Sequence, residues 1–264
     1  MTHLRLGTRG SPLALAQSQI VAGVIRENLG HQVEIVPIRS LGDDLAGPLA
    51  QAPEPGVFAS ALRDALMSGE VDVVVHSMKD LPAAPTSGIT LIAVPEREDP
   101  RDVLVSHQRC TLGALPARAR VGTSSPRRAS QVQRLRPDIR IVDMRGNVDT
   151  RIDKVRSGEI DAAILAAAGV KRLNRSADID EFLSDMVPAP SQGALAVEIR
   201  STDRDLAESL TRLDDAAIRR QVVTERAVLA ELAATCTSAV AAYAKPLDGD
   251  VLRLTAEVGG NTIS

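Results

Sequence analysis

The chain has 264 residues, which exceeds the usual size of a single domain and predicts two or three domains. Apolar residues make up 44% and charged residues 25%, as in ordinary globular proteins, and no apolar stretch is long enough to span a membrane. The net charge of −3 is small, but charge is unevenly distributed along the chain.

Cysteine usage and the first residues bear on cellular location. Cys110 and Cys236 are the only cysteines, too few for a disulfide framework, which is typical of a reducing cytoplasm. Neither has the spacing of a metal ligand, so we expect no metal site. Residues 1–9 lack the apolar segment of a signal peptide, and we therefore expect a cytoplasmic protein without membrane contact.

The first part of the chain alternates short apolar runs with amphipathic segments. Ser11 is a good N-cap and Pro12 a good first helical residue, which predicts a helix to about Asn28. Residues 39–56 are polar and rich in Pro and Gly, which predicts a loop. A second helix is predicted at Phe58–Met67, and strands are predicted at Leu4–Gly7, Gln32–Ile38, Val71–Val75, Ile89–Val94 and Val103–Ser106.

The pattern then repeats. Residues 7–12 resemble residues 122–126, and residues 68–72 resemble residues 157–161, each pair at a helix start or a helix-to-strand turn. We therefore expect two similarly wound α/β lobes that face each other across a cleft. The second set of predicted elements comprises strands at Arg120–Gly122, Ile139–Asp143 and Ala162–Ala168, and helices from Pro126 and over Asn147–Arg156.

The last third begins with residues 188–193, whose linker composition is expected to return the chain to the first lobe. Ala194–Ile199 alternates like a strand. Helices are then predicted at about 203–212 and 214–234, followed by a hairpin of Val240–Ala244 and Val251–Val258.

A group of polar side chains follows the apolar run Val71–Val75. Pro82 cannot continue a ladder, and open α/β sheets bind ligands just beyond the carboxyl ends of their strands. Asp80 would there be a carboxylate beside the hydroxyl, imidazole and ammonium groups of Ser77, His76 and Lys79. The alternative is a solvated loop in which Asp80 forms an Asx-turn.

Basic residues are concentrated in Arg109–Arg156, which holds eleven arginines and one lysine against four aspartates, a local charge of +8. Arginine binds carboxylate or phosphate in bidentate fashion, and the helix starts at residues 8–12 and 123–126 offer free backbone N–H groups. Solvated helix faces and codon bias explain part of the excess but not its clustering. A ligand with many negative charges is predicted.

The residues alone leave two questions open: the chemical class of the ligand and the role of Cys236. Nucleic acid is the obvious polyanion, but the chain has no Trp, one Tyr and two Phe and therefore lacks stacking platforms; a polycarboxylate or phosphate fits better. Cys236, directly after a predicted helix, is either a small buried hydrophobic residue or a thiolate nucleophile.

Longer motifs occur in order between residues 4 and 258: GTRGSPLAL from Gly7, VHSMKDLP from Val75, EDPRD from Glu98, VGTSSPRR from Val121, RGNVDTR from Arg145, PSQGA from Pro190 and TER from Thr224. In this series the chain closely resembles the porphobilinogen deaminase family, also called hydroxymethylbilane synthases.

The resemblance implies an α/β fold with three domains. Two similar lobes like periplasmic binding proteins would surround a cleft, and a small α/β C-terminal domain would carry the cofactor cysteine. The expected boundaries are 1–95 plus 194–211 for lobe 1, 96–193 for lobe 2, and 212–264 for the C-terminal domain.

The resemblance also implies a transferase of porphyrin and heme biosynthesis. The family joins four porphobilinogen molecules head to tail, releases ammonia each time, and frees the tetrapyrrole hydroxymethylbilane. It carries a dipyrromethane cofactor, which by position would be attached to Cys236 through a thioether. Asp80 matches the catalytic aspartate, which can stabilise the cationic azafulvene left by ammonia and can shuttle protons.

Further site residues follow from matched positions. Each pyrrole carries an acetate and a propionate, which accounts for the many cations. The implied cofactor-binding residues besides Cys236 are Lys79, Thr123, Ser125, Arg127, Arg128, Arg145 and Gln192. The implied substrate-binding residues are Arg9, Ser11, Arg151 and Arg172. A monomer with porphobilinogen as its partner, and without nucleic acid or membrane, is expected.

Three stretches depart from the family pattern. Residues 50–58 lack the Lys and Gly-Gly of the family's lid-like loop, residues 235–241 differ around the cysteine, and the chain ends at Ser264, before the family's last helix, so a shortened third domain is expected. The alternative is therefore a catalytically impaired homologue that binds polycarboxylates without turnover.

Overall fold

A computed structural model describes residues 2–39, 57–234, 238–259 and 261–263. The chain divides into two compact units, Met1–Arg97 with Ala194–Val223 and Glu98–Gly193 with Thr224–Ser264. The three-domain division stays a prediction.

The strands are β1 (His3–Arg9), β2 (Gln32–Ile38), β3 (Val73–Ser77), β4 (Ile89–Ala93), β5 (Asp102–Ser106), β6 (Arg120–Gly122), β7 (Arg140–Val142), β8 (Ala162–Ala166), β9 (Glu181–Leu183), β10 (Leu195–Arg200), β11 (Val240–Pro246), β12 (Leu252–Val258) and β13 (Asn261–Ile263). The helices are α1 (Pro12–Leu29), α2 (Val57–Met67), α3 (Pro126–Leu135), α4 (Val148–Arg156), α5 (Ala167–Arg172), α6 (Arg204–Leu210) and α7 (Ala216–Glu231).

The first unit contains a five-stranded sheet in the order β2-β1-β3-β10-β4. β1 is parallel to β2 and β3, whereas β10 is antiparallel to β3 and β4. The sheet is buried on both faces: Val73 and Val75 pack in the same cluster as residues of α1, and Val74 packs with residues of α2. Burial on both faces explains why β3 is a continuous apolar run rather than an alternating one.

The second unit contains a five-stranded sheet wound in the same way, in the order β7-β6-β8-β5-β9. β6 is parallel to β7 and β8, and β5 is antiparallel to β8 and β9. Ala162 and Ile164 of β8 pack in one core cluster and Ala163 and Leu165 in another, so this sheet too is covered on both faces. The expectation of two similarly wound α/β sheets is confirmed.

The C-terminal residues form a separate three-stranded antiparallel sheet in the order β11-β12-β13. The predicted hairpin corresponds to β11 and β12, which pair from Val240↔Val258 to Pro246↔Leu252. The third strand, β13, lacks a sequence signal of its own because it is only three residues long.

The predicted helix starts are confirmed. The Ser11 hydroxyl accepts a hydrogen bond from the Ala14 N–H at 3.3 Å, and Pro12 is the first residue of α1. Ser125 occupies the same position before α3, where its hydroxyl accepts from the Arg128 N–H at 3.4 Å. Both helices therefore begin with a hydroxyl cap and a proline, as the sequence repeat predicts.

Several predicted strands differ from the observed ones by one or two residues at an end, and two of these differences affect the site. The central strand runs over Val73–Ser77 rather than Val71–Val75, because the Val71 N–H donates to the Ala65 carbonyl in the turn after α2. His76 and Ser77 are therefore strand residues rather than loop residues. The run predicted as a strand at Ala162–Ala168 ends at Ala166, and α5 begins at Ala167.

Candidate active site

A short 3-10 turn, Met78–Asp80, follows β3 directly. The buried Met78 anchors this turn, since its N–H donates to the Ala194 carbonyl at 3.0 Å and its side chain packs in an apolar cluster. With Met78 directed into the core, Asp80 at the end of the turn is exposed and Lys79 is half-buried. The structure thus places the predicted catalytic carboxylate in an accessible position on a rigid support.

A cavity of about 80 Å³ lies beside this turn, entirely within the first unit. Five of the polar residues singled out from the sequence line it together, although they come from separate stretches of the chain: Arg9, Ser11, His76, Ser77 and Asp80. The amide of Gln17, on α1, donates to the Ser77 hydroxyl at 2.8 Å and fixes that side of the cavity. These five groups therefore lie close together in the first unit, whereas Lys79 is not part of the lining.

Two residues that the sequence did not single out lie behind His76. Glu198 on β10 is 3% exposed, and its Oε2 is 3.2 Å from the His76 Nε2. Arg63 on α2 donates to the same carboxylate from Nε at 2.9 Å and from Nη2 at 2.6 Å. Burial opposes ionisation of Glu198, but the hydrogen bonds from Arg63 and His76 outweigh it and lower its pKa to about 2. The sequence offered one signal for this partner of His76: Glu198 is a charged residue inside the otherwise apolar strand β10.

In the second unit, three of the predicted cofactor-binding residues converge on Asp102. Arg128 donates to its Oδ1 from Nε at 3.0 Å and Nη2 at 2.8 Å, and the Gln192 amide donates to the same oxygen at 2.9 Å. The Arg127 Nη1 lies 2.8 Å from Oδ2. Asp102 is fully buried; although burial favours its neutral form, the two guanidinium charges hold its pKa well below the usual range. Asp102 belongs to the EDPRD motif, but its contacts with Arg127, Arg128 and Gln192 were not predicted from the sequence.

Two further predicted residues, Arg145 and Arg151, lie around the start of α4. Burial lowers the pKa of Arg151 to about 10, and the positive charges of Arg128 and Arg145 act in the same direction. The Arg151 Nε donates to the Gly146 carbonyl at 2.8 Å, and the Arg145 Nε is 3.6 Å from an Asp143 carboxylate oxygen. A guanidinium whose pKa is lowered by burial and by neighbouring cations gains from a bound anion, so Arg151 marks a site for one.

The remaining predicted residues of this unit flank the same region. Thr123 is buried, and its hydroxyl accepts from the Ser125 N–H at 3.2 Å in the turn that opens α3. Arg172 donates from Nη2 to the Gly193 carbonyl at 2.8 Å, which joins α5 to the segment around Gln192. Hydroxyls, a helix start and guanidinium groups are the donors that carboxylates require.

Cys236 lies outside the described residues, as do residues 50–56 of the predicted lid-like loop. Within the described part of the chain, no group of three or more His, Cys, Asp or Glu side chains is arranged to hold a metal ion. None of the described helices combines the length and apolar character needed to cross a membrane.

The structure is that of an α/β protein with two similar five-stranded sheets, and each unit carries clustered groups suited to anions. The methionine-binding protein MetQ has a comparable fold, with a TM-score of 0.51 over 85% of this chain and 93% of its own, at 11% sequence identity. That level of identity supports the fold alone.

Sequence comparison gives the family. The family model described as "Porphobilinogen deaminase, dipyromethane cofactor binding domain" matches residues 4–208. The porphobilinogen deaminase of Thermobifida fusca is 51% identical over 97% of this chain and 81% of its own length. That of Nocardia farcinica is 50% identical over 94% of this chain and 71% of its own. The chain belongs to the porphobilinogen deaminase family.

The donor set fits the dipyrromethane group that the family model names. A dipyrromethane with acetate and propionate arms is a small polycarboxylate. In the second unit Arg151 is repelled by Arg145 and by Arg128, which Asp102 already pairs, so added carboxylates would be stabilised at Arg145 and Arg151.

Proposed function

We propose that this protein is a hydroxymethylbilane synthase. It condenses four porphobilinogen molecules head to tail, with release of ammonia, into the linear tetrapyrrole hydroxymethylbilane. The observation that carries this proposal is the cavity where the exposed Asp80 meets Arg9, Ser11 and His76, in a chain of this family. The cavity offers a carboxylate for a developing cation and a guanidinium for a substrate carboxylate.

Asp80 is the proposed catalytic residue. When ammonia leaves porphobilinogen, positive charge develops on the methylene carbon and spreads over the pyrrole ring. A carboxylate held on the turn after β3 stabilises that charge and accepts the pyrrole N–H. Arg9 and Ser11, at the end of β1 and the start of α1, are proposed to hold the substrate's carboxylate arms.

The second unit is proposed to hold the cofactor and the growing chain. A dipyrromethane, when bound, supplies the pyrrole carbon to which the first substrate is joined. Its proposed attachment point is the thiolate of Cys236, in a C-terminal domain of residues 212–264. The proposed carboxylate contacts are Lys79, Thr123, Ser125, Arg127, Arg128, Arg145 and Gln192 for the cofactor, and Arg151 and Arg172 for added substrate.

We further propose that the protein acts as a cytoplasmic monomer on porphobilinogen alone. The two-cysteine composition supports the location, because a reducing compartment needs no disulfide framework. The shortage of aromatic residues argues against a single-stranded nucleic acid as a second ligand.

The deciding experiment is the intact mass of the purified protein beside a Cys236→Ser variant. We expect an added mass equal to one dipyrromethane on the wild type only, together with turnover of porphobilinogen. A Cys110→Ser variant, which should keep the added mass, is the control. Bare masses for all three proteins, unchanged after incubation with porphobilinogen, would contradict the proposal and favour a homologue that binds polycarboxylates without catalysis.

A further inference from the structure

The cavity beside Asp80 is open on one side, and its enclosed part is too small to surround a whole substrate. Pockets that enclose drug-sized ligands measure about 300–1,000 Å³, whereas this cavity measures about 80 Å³. A volume of that size holds a few water molecules or one short polar arm. Of the groups on porphobilinogen, the aminomethyl arm is the smallest and is the only cation. The cavity therefore matches the end of the substrate from which ammonia leaves.

Among the lining residues, Asp80 supplies a carboxylate, Ser11, Gln17 and Ser77 supply neutral oxygens, and His76 supplies a ring nitrogen as acceptors for such a cation. The His76 Nε2 lies 3.2 Å from the Glu198 carboxylate, so this carboxylate favours the tautomer with its proton on Nε2. In the neutral ring Nδ1 is then an acceptor. Since His76 lines the cavity, Nδ1 is the polar atom that the ring can offer there.

Glu198 and Arg63 hold the side of the His76 ring that faces away from the cavity. Arg63 grips both oxygens of Glu198, and its Nη1 also donates to the Thr86 hydroxyl at 2.8 Å. His76 and Glu198 lie on adjacent antiparallel strands, and α2 supplies Arg63. A buried carboxylate and a half-buried guanidinium on rigid elements thus favour one tautomer of the imidazole, which is the arrangement that positions an acid–base histidine elsewhere.

We propose that His76, positioned by Glu198 and Arg63, binds the aminomethyl ammonium group of porphobilinogen beside Asp80. This inference rests on the proposed function and adds a substrate contact to it. His76 is the contact residue, and Glu198 and Arg63 are positioning residues. The C–N bond then breaks with its electron pair going to nitrogen, so that neutral ammonia leaves and the positive charge stays on the substrate.

The proposal predicts that Glu198 acts on the substrate only through His76. Glu198→Gln removes the charged acceptor that faces the His76 Nε2, so KM for porphobilinogen should rise several-fold with a smaller change in kcat. Because the effect passes through the imidazole, Glu198→Gln should have little further effect on KM when His76 is already Gln. A Glu198 that is only structural would lower the free energy of unfolding without this dependence on His76, and that result would overturn its positioning role.

The first test uses His76→Gln. Glutamine keeps a donor near the Nε2 position, facing Glu198, but has no acceptor at Nδ1. We expect kcat/KM for porphobilinogen to fall at least about tenfold, the loss of roughly one hydrogen bond to a charged group, with the cofactor mass unchanged. His76→Asn, whose amide oxygen lies near the Nδ1 position, should recover part of the activity. His31→Gln, in the same unit, is the control and should stay within about twofold of the wild type.

The second test does not depend on turnover. The chain has only four histidines, so a nitrogen-15 spectrum of its imidazoles can be assigned by comparison with His76→Gln. We expect the Nε2-protonated tautomer for His76 and a shift of its Nδ1 signal on addition of methylammonium chloride. An Nδ1-protonated ring, no response to methylammonium, or unchanged kinetics in His76→Gln would each overturn the inference. A wild type that binds methylammonium but does not turn over porphobilinogen would overturn only the proposed function.

Discussion

At the scale of single residues, Asp80 is expected to matter for chemistry and little for folding. Its side chain is exposed, and the turn that carries it is anchored through Met78. Asp80→Ala should therefore reduce kcat for porphobilinogen by at least about a hundredfold while Tm and cofactor mass stay unchanged. Steady-state kinetics measures kcat, thermal unfolding measures Tm, and intact mass measures the cofactor. Asp64→Ala removes an exposed carboxylate from α2 and is the control; equal loss in both variants would contradict the assignment.

Glu198 should make stability depend on acid pH. Its pKa is lowered from 4.5 to about 2, so its ionised form contributes fully above pH 4.5, and this contribution is lost as the pH falls from 4.5 towards 2. The contribution is at most about 3 kcal/mol. Urea unfolding between pH 6 and 3 should show a smaller loss of unfolding free energy in Glu198→Gln than in the wild type. Glu34→Gln, at an exposed carboxylate, should follow the wild-type curve.

The sequence predicted the polar residues that gather around Asp80, because each lies near the end of a recognisable strand or the start of a helix. It did not predict the buried partners Glu198 and Asp102. Glu198 reaches His76 across 122 positions of chain, and Gln192 reaches Asp102 across 90. Such pairs depend on strand order, which local periodicity does not specify.

At the scale of elements, Asp102 joins β5 to α3 and to the segment before β10. Its removal would leave two buried guanidinium groups facing each other without a counter-charge. Asp102→Asn should lower the unfolding free energy by about 3–5 kcal/mol, the usual cost of breaking a buried ion pair. Asp161→Asn, which breaks the half-exposed pair with Arg120, should cost less than about 1 kcal/mol. Similar losses in the two variants, measured by urea unfolding, would show that the cluster is not stabilising.

Gly193 is required by the close approach of two chain segments. Its φ is +91°, and a Cβ built there would lie 2.1 Å from the Glu98 carbonyl oxygen. Gly193→Ala should therefore destabilise the protein by about 2 kcal/mol or more and disturb the neighbouring contact of Arg172. Gly30→Ala tests φ alone, since Gly30 has a φ of +69° but open space around it, and should cost about 1 kcal/mol. Thermal unfolding distinguishes the two.

The starts of the two proline-capped helices were more predictable than the bounds of the strands. A hydroxyl followed by proline gives α1 and α3 a local chemical signal, and both begin as predicted. The central strand was predicted two residues early, because an apolar run does not reveal which of its N–H groups belong to the preceding turn. α5 was missed for a similar reason: alanines continue the apolar pattern of β8 into the helix.

At the scale of the whole molecule, the concentration of arginine in an acidic protein predicts a salt-dependent affinity. Porphobilinogen carries two carboxylates, and the segment Arg109–Arg156 has a local charge of +8. Raising sodium chloride from 0.05 to 0.5 M should raise KM several-fold through screening, with a smaller change in kcat. Sodium sulfate at equal ionic strength is the comparison; a KM indifferent to both salts would contradict an electrostatic role for the cluster.

The similarity of the two sheets was predictable from two short sequence echoes, but their strand connections were not. In the second unit the antiparallel strand β5 precedes the parallel strands in the chain, whereas in the first unit its counterpart β10 follows all of them. The two sequence repeats lie at helix starts and turns, so they carry no information about the different chain positions of β5 and β10.

The late position of β10 has a consequence for protein synthesis. β4 pairs within its sheet only with β10, so an unfinished chain that has reached Ala93 must wait for Leu195 before that sheet can close. At translation rates of about 5–20 residues per second the wait is on the order of 5–20 s. During that time the ribosome holds a half-built sheet with an open edge, and Arg63 and His76 have no carboxylate from β10 between them. The amino-terminal third of the chain therefore carries an unpaired strand edge during synthesis, the kind of edge that is prone to wrong pairing until β10 arrives.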